Sequence, residues 1–281
     1  MDIWVFLAVI LAAALHAGWN ALLKIGLDRY LTASLIQISA GIAALLAAPF
    51  VAFPSSAAWP WIGLSALLHI GYNRFLSSAY QHGDLGQVYP IARGSSPLIV
   101  AALSVFLLHD HLSSGQLLGL LILVASIWLM AFYGGNRHAP MNRPLLINAL
   151  LTAACIAGYT LSDAAGARLN QDALSYSIWL FITNGVVTAL VLALLRGPKV
   201  FLTLRGHWRD GFIGGVMSML AYSIVIWAMT QAPVALVSAM RETSVVFALL
   251  IGWLLLKETL PIRRLFACGA IMAGVMLMKV F

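Results

Sequence analysis

Apolar residues fill this chain in long blocks, and the polar positions that separate the blocks are few and clustered. A window of roughly 20 residues, the length a helix needs to cross about 30 Å of hydrocarbon, picks out ten such blocks. They are 3–23, 31–53, 59–80, 85–108, 115–133, 144–165, 173–195, 211–230, 234–256 and 263–280. Clusters rich in Pro, Gly and polar residues lie between them, among them FPSSAAWP from Phe53, YGGNRHAPMNRP from Tyr133 and LRGPKVFLTLRGHWRD from Leu195. These read as loops. No segment remains for a soluble domain, so the pattern predicts an all-α polytopic membrane protein with ten transmembrane helices. The first block resembles the apolar core of a signal peptide, but the residues ahead of it include Asp2 and neither Lys nor Arg, so a retained helix is expected.

The blocks repeat. The stretch SVFLLHDHLSSGQLLGLLILVASIWLM, ending at Met130, lies over ALLIGWLLLKETLPIRRLFACGAIMAGVMLM, ending at Met278, at a constant offset of 148 that pairs Arg93 with Arg241, Ser96 with Ser244 and Asp110 with Glu258. Near the front of each half, AGWN from Ala17 lies over AGYT from Ala157. The expected division is a first repeat over 1–133 with helices 1–5, a linker over 134–143, and a second repeat over 144–281 with helices 6–10. Five helices per half is an odd number, so the second copy enters the membrane inverted. Inverted repeats are a signature of secondary transporters, whose sites lie near the midplane at the repeat interface.

Ten helices in two inverted sets of five, the short HDHLSSGQLLG and LKETLPIRRLFACG turns before helices 5 and 10, and LHAGWNALLK in helix 1 together resemble the drug/metabolite transporter superfamily, in its branch with two EamA-type domains. The resemblance covers essentially the whole chain. Asp110 and Glu258 match the acidic residue that such proteins carry before the last helix of each repeat. In the first repeat, His109 and His111 flank Asp110 where the family more often has a Gly-Glu pair. The resemblance implies transport of a small organic solute without naming it.

Composition agrees with a membrane setting and removes other classes. The 281 residues are 62% hydrophobic and 9% charged, against about 25% charged in a soluble globular protein. The net charge of +7 belongs to cations scattered between apolar blocks; there is no basic stripe or base-stacking module, so no nucleic-acid partner is expected. The two cysteines, Cys155 and Cys268, each sit inside an apolar block and suggest neither a disulfide framework nor a metal cluster. No phosphate-binding loop occurs, so no ATPase activity, cofactor or enzymatic role is expected. Asp110 between two histidines is the sole dense titratable cluster, and its counterpart Lys257-Glu258-Thr259 falls on the opposite face, which does not make an active site.

The cations also bear on orientation. Lys24, Arg29, Arg137, Arg143, Arg196, Lys199, Arg205, Arg209, Lys257, Arg263 and Arg264 lie in the loops joining helices 1–2, 5–6, 7–8 and 9–10, whereas the other face has Arg168 and Lys279. The positive-inside rule then puts the odd-numbered loops in the cytoplasm and both termini outside an inner (plasma) membrane.

Three arginines remain inside helices: Arg74, Arg93 and Arg241. An arginine at the centre of a spanning helix costs roughly 2.5–3.5 kcal/mol even on the mildest scale, and survives where it meets water, a partner or a ligand. Two acids share those depths, Asp163 and Glu242. The favoured reading makes Arg93 and Arg241, with Ser96 and Ser244, the grip on an anionic or zwitterionic solute; the competing one is an interhelical salt bridge from Arg74 or Arg93 to Glu242. Pro90, Gly94 and Pro97 predict an interrupted helix 4, and the second copy, which lacks those prolines, a straighter helix 9. His16, Trp19 and Asn20 of helix 1, with Tyr72, Tyr159 and Tyr222, are further candidate lining residues. Glu242 and Asp163 are the candidate proton carriers if transport is ion-coupled. A flippase for lipid or lipid-linked substrates is the alternative within the same superfamily; an elongated side opening would favour it, and a closed central cavity with paired arginines would favour a small-solute carrier.

Overall fold

A computed structural model describes residues 1–22, 29–82, 85–134, 142–256 and 262–281. Twelve α-helices follow one another: α1 (Ile3–Leu22), α2 (Arg29–Ala47), α3 (Trp59–His82), α4 (Leu85–Leu107), α5 (Ser114–Gly134), α6 (Arg143–Asn170), α7 (Ala173–Arg196), the short α8 (Val200–Leu204), α9 (Trp208–Gln231), α10 (Val234–Arg241), α11 (Ser244–Leu256) and α12 (Ile262–Val280). No strand occurs among the described residues. Six stretches are long and apolar enough to cross a membrane, namely Ile3–Asn20, Tyr30–Phe50, Arg143–Asn170, Ala173–Arg196, Val200–Gln231 and Val234–Leu254, and shorter apolar helices cover Ile91–Leu107 and Ser114–Met130. The chain is an all-α polytopic membrane protein. Short α8 falls in the loop predicted between helices 7 and 8, and the ninth span is divided between α10 and α11. The linker expected over 134–143 lies mostly outside the described residues, as does Glu258.

The surface is inverted relative to that of a soluble protein. Large apolar side chains point outward, with Leu194 84% and Phe106 78% exposed, while Asp163 and Glu242 are fully enclosed. Such an exterior suits hydrocarbon.

Packing follows the repeat. Exchanging spans 1–5 for 6–10 turns the α1–α9 contact into α6–α3 and the α4–α6 contact into the contact of α11 with α1, and all four exist. The helices that face their own repeat mates are α2 with α7 and α5 with α12. Both pairs meet on glycine. A Cβ added to Gly41 would lie 2.8 Å from the Cα of Gly185, and one added to Gly119 would lie 2.6 Å from the carbonyl oxygen of Gly274. Small residues let membrane helices approach closely where no hydrophobic drive between them operates. One continuous core joins the halves, from Val9, Ile62 and Leu123 to Val225, Met240 and Ile271.

Candidate functional site

The two motif copies adopt different backbones, in the opposite sense to the sequence expectation. Helix α4 runs unbroken from Leu85 to Leu107 through its prolines. Pro97 has no N–H, so the carbonyl of Arg93 lacks its usual i+4 partner. The hydroxyl of Ser96 donates to that carbonyl at 3.2 Å, so the acceptor freed by Pro97 is satisfied within the helix. The interruption sits instead in the second copy. Helix α10 ends at Arg241, and Glu242 and Thr243 form a turn before α11 starts at Ser244. Here the N–H groups of Glu242, Thr243, Val245 and Val246 donate to the carbonyls of Ala239, Met240, Glu242 and Thr243, three residues back in each case, at 2.9–3.0 Å. The Thr243 hydroxyl reinforces the turn by donating to the Met240 carbonyl at 2.8 Å. A tightened 3₁₀ segment inside a spanning helix is a frequent hinge or functional mark.

The charges separate the copies further. Arg93 Nε donates to Glu242 Oε2 at 3.0 Å, with side chains 6% and 0% exposed. The salt bridge of the competing reading is therefore present for Arg93, and the two arginines have different surroundings. The reason is three-dimensional. Arg93 has no acid within reach on its own helix, but α10 packs against α4 and brings Glu242 to it from the other repeat. Arg74 is exposed. Arg241 is 3% exposed and belongs to no ion pair among the described residues. Its Nε and Nη2 have no hydrogen-bond partner there, and its Cζ lies 5.9 Å from the centroid of the Tyr222 ring. The nearby Ser244 hydroxyl, also buried, has none either.

Asp163 does not neutralise Arg241 directly. It accepts hydrogen bonds from Tyr176 Oη at 3.0 Å and Tyr222 Oη at 2.7 Å. Tyr176 reaches it because Gly166, one turn along α6, leaves room for its ring, which a Cβ there would strike. Tyr222 thus joins the two charges, its hydroxyl on the carboxylate and its ring face toward the guanidinium.

Polar-tipped rings surround this centre. His69 stacks on Tyr159 with centroids 4.2 Å apart, and Tyr72 and Tyr222 stand edge-on to Tyr159 at 6.2 and 6.0 Å. On α1, His16 meets Trp19 edge-on at 5.0 Å and accepts from its indole Nε1 at 3.2 Å. Asn20 donates to the His16 carbonyl at 2.7 Å, and Ser96 to that of Arg93, so both lend a donor to their own helix. His16, Trp19, Asn20, His69, Tyr72 and Tyr222 are half-buried. Among the described residues no three His, Cys, Asp or Glu side chains are grouped to hold a metal ion. Sequence reasoning missed Tyr176, whose position one turn into α7 gave no sign of its reach to Asp163.

Similarity to known proteins agrees with this architecture. The chain is 22% identical over 222 residues to the uncharacterized transporter YwfM of Bacillus subtilis (strain 168), covering 79% of this chain and 74% of that protein. A solved crystal structure superposes with a TM-score of 0.76 at 19% identity, over 100% of this chain and 99% of the other, which establishes a shared fold. Residues 3–132 and 143–280 each match the EamA-like transporter family, so the chain belongs to that family of membrane transporters, built as a ten-helix repeat fold.

Proposed function

We propose that the protein is a secondary transporter of a small anionic or zwitterionic metabolite, bound in a central cavity between the two repeats and moved by alternating access. The two halves of the mechanism are the repeats 1–133 and 144–281, joined by the linker 134–143. The observation that carries the reading is Arg241, a buried guanidinium with donors open and no carboxylate in ion-pair contact among the described residues. A buried charge without a partner is too costly to keep unless water or a ligand offsets it. The acidic group of the solute is that offset, held by a planar fork that takes two oxygens at once, with Ser244 as a further donor. Tyr72, Tyr159 and Tyr222, with His16, Trp19 and Asn20, supply the apolar bodies and polar tips of the wall.

Arg93 enters differently. Its pairing with Glu242 makes Glu242 the resident carboxylate of the site, and a proton on Glu242 releases Arg93 toward the solute. Asp163, held by two phenolic hydroxyls, is the second candidate carrier. The odd-numbered loops face the cytoplasm of an inner membrane and both termini face out, a reading the cation distribution supports. A thermal-shift screen with carboxylates, phosphonates, phosphates and amino acids, repeated on Arg241→Ala, tests the reading. Stabilisation by an acid that the variant does not show supports it. Stabilisation by cations alone overturns it, and stabilisation by lipid-linked compounds alone favours a flippase.

A further inference from the structure

The loop between α4 and α5 carries a connection that the solute site does not use. Asp110 Oδ2 accepts from the backbone N–H of Val234, the first residue of α10, at 2.7 Å. Asp110 Oδ1 accepts from Arg168 Nη1 at 3.1 Å. Arg168, near the end of α6, donates in addition to the carbonyls of Met229 and Ala232, where α9 ends, at 3.0 and 3.3 Å. One carboxylate of the first repeat therefore ties together the ends of three helices of the second. All of these ends lie on the face that carries the termini, because successive spans alternate in direction. Further contacts join segments on the same face: the Ser55 N–H on Asn170 Oδ1 at 2.8 Å, the Ser175 hydroxyl on the Ala52 carbonyl at 2.7 Å, and the Ser113 hydroxyl on the Phe281 carbonyl at 3.3 Å.

We propose that the Asp110–Arg168 node is an ionic latch that holds the termini face closed, and that its release lets the central cavity open to that face. The proposal rests on the alternating-access reading above. Two features separate a latch from a permanent staple. First, the Arg168 side chain is 30% exposed against 8% for Asp110, so water reaches the guanidinium side of the pair, unlike the Arg93–Glu242 bridge, which is enclosed on both sides; a pair open to water on one side breaks and re-forms more readily than one closed on both. Second, the node holds the start of α10, an eight-residue helix whose last residue is Arg241. At 1.5 Å per residue that is a rigid rod of about 11 Å, ending at the 3₁₀ turn. A displacement of Val234 is therefore delivered to the guanidinium proposed to hold the solute, and occupation of that guanidinium is delivered back to the latch.

The test is a distance measurement on the full chain in lipid nanodiscs, needing no solute. Cys155 and Cys268 are replaced by alanine and nitroxides are attached at Ser114→Cys and Gln231→Cys, exposed positions at the start of α5 and the end of α9. Pulsed electron double resonance should give one dominant short separation for the background in which the Asp110–Arg168 pair is intact. Asp110→Asn keeps an acceptor for Val234 but removes the negative charge opposite Arg168, and it should raise the weight of a longer separation roughly fivefold; Arg168→Ala should raise it further, and Arg168→Lys least. A purely structural staple would lower the unfolding midpoint of all three variants and leave the distribution in place, which would overturn the proposal. Failure of all three to fold, Arg168→Lys included, would overturn it as well. If Arg241→Ala leaves solute binding intact while Asp110→Asn still lengthens the distance, the solute reading falls and the latch stands.

Discussion

The motif at Ala92–Val100 and its mate at Met240–Ala248 share an arginine, a spacer and two hydroxyl residues, yet they have parted in structure and in charge. The first copy has Gly94 where the second has Glu242. That one position gives the second copy a carboxylate, and the structure hands it across the repeat interface to the arginine of the first. Arg93 is thereby neutralised from outside its own repeat, while Arg241, the direct neighbour of Glu242 in sequence, is left with open donors. Sequence neighbours on a helix point about 100° apart, so the closest acid in sequence is the wrong partner. The pair of copies teaches that repeat symmetry of sequence need not be symmetry of surroundings: one arginine is held by a carboxylate and the other keeps donors without a partner among the described residues.

The largest effect expected from breaking that asymmetry is Glu242→Gln. Removing one partner of an enclosed ion pair costs about 3–5 kcal/mol, so with no solute present to take the carboxylate's place the variant should unfold well below wild type in a thermal or denaturant titration. The combination of Arg93→Met with Glu242→Met should recover most of that loss, since replacing a whole buried pair by apolar residues is often neutral. Recovery shows that the bridge is self-contained; continued instability would mean that either residue supports something beyond the pair.

Smaller in size is the test of the backbone difference. Ser96→Ala leaves the Arg93 carbonyl without the hydroxyl that answers it, and should cost about 1–2 kcal/mol in the same unfolding assay. Ser244→Ala removes a hydroxyl with no partner and should change stability by less than about 0.5 kcal/mol. Equal losses at the two serines would erase the distinction between the copies. Smallest, and most specific, is a double-mutant cycle: in a Pro97→Ala background the restored N–H reaches the Arg93 carbonyl, so the further change Ser96→Ala should be nearly silent. Additive losses would show that the serine acts elsewhere.

How legible this was in the sequence depends on whether the signal is local. The all-α membrane architecture follows from block length alone, and the repeat from a constant offset that pairs Arg93 with Arg241 and Asp110 with Glu258. The backbone of the motif was read in reverse. Pro90 and Pro97 look like breaks, but whether a proline breaks a membrane helix depends on who answers the freed carbonyl, and at Pro97 the Ser96 hydroxyl does so. The second copy has no proline and still tightens at Glu242–Thr243. Partnerships across repeats were the least visible. The Arg93–Glu242 bridge spans 149 residues and the Asp110–Val234 cap 124. The link from Tyr176 to Asp163 spans 13, but depends on the absence of a Cβ at Gly166. None of these has a spacing rule that announces it.

The central claim is that Arg241 is the guanidinium left for the solute. The most direct measurement is the affinity of the acid identified by the thermal-shift screen, by titration calorimetry, for wild type, Arg241→Ala, Arg241→Lys and Ser244→Ala, each first shown to be folded. A charged hydrogen bond contributes about 1.5–3 kcal/mol, so Arg241→Ala should bind roughly 10- to 100-fold more weakly while unfolding near the wild-type midpoint. Lysine should lose less, keeping the charge without the fork, and Ser244→Ala least. A folded Arg241→Ala variant that binds the acid as tightly as wild type would contradict the account.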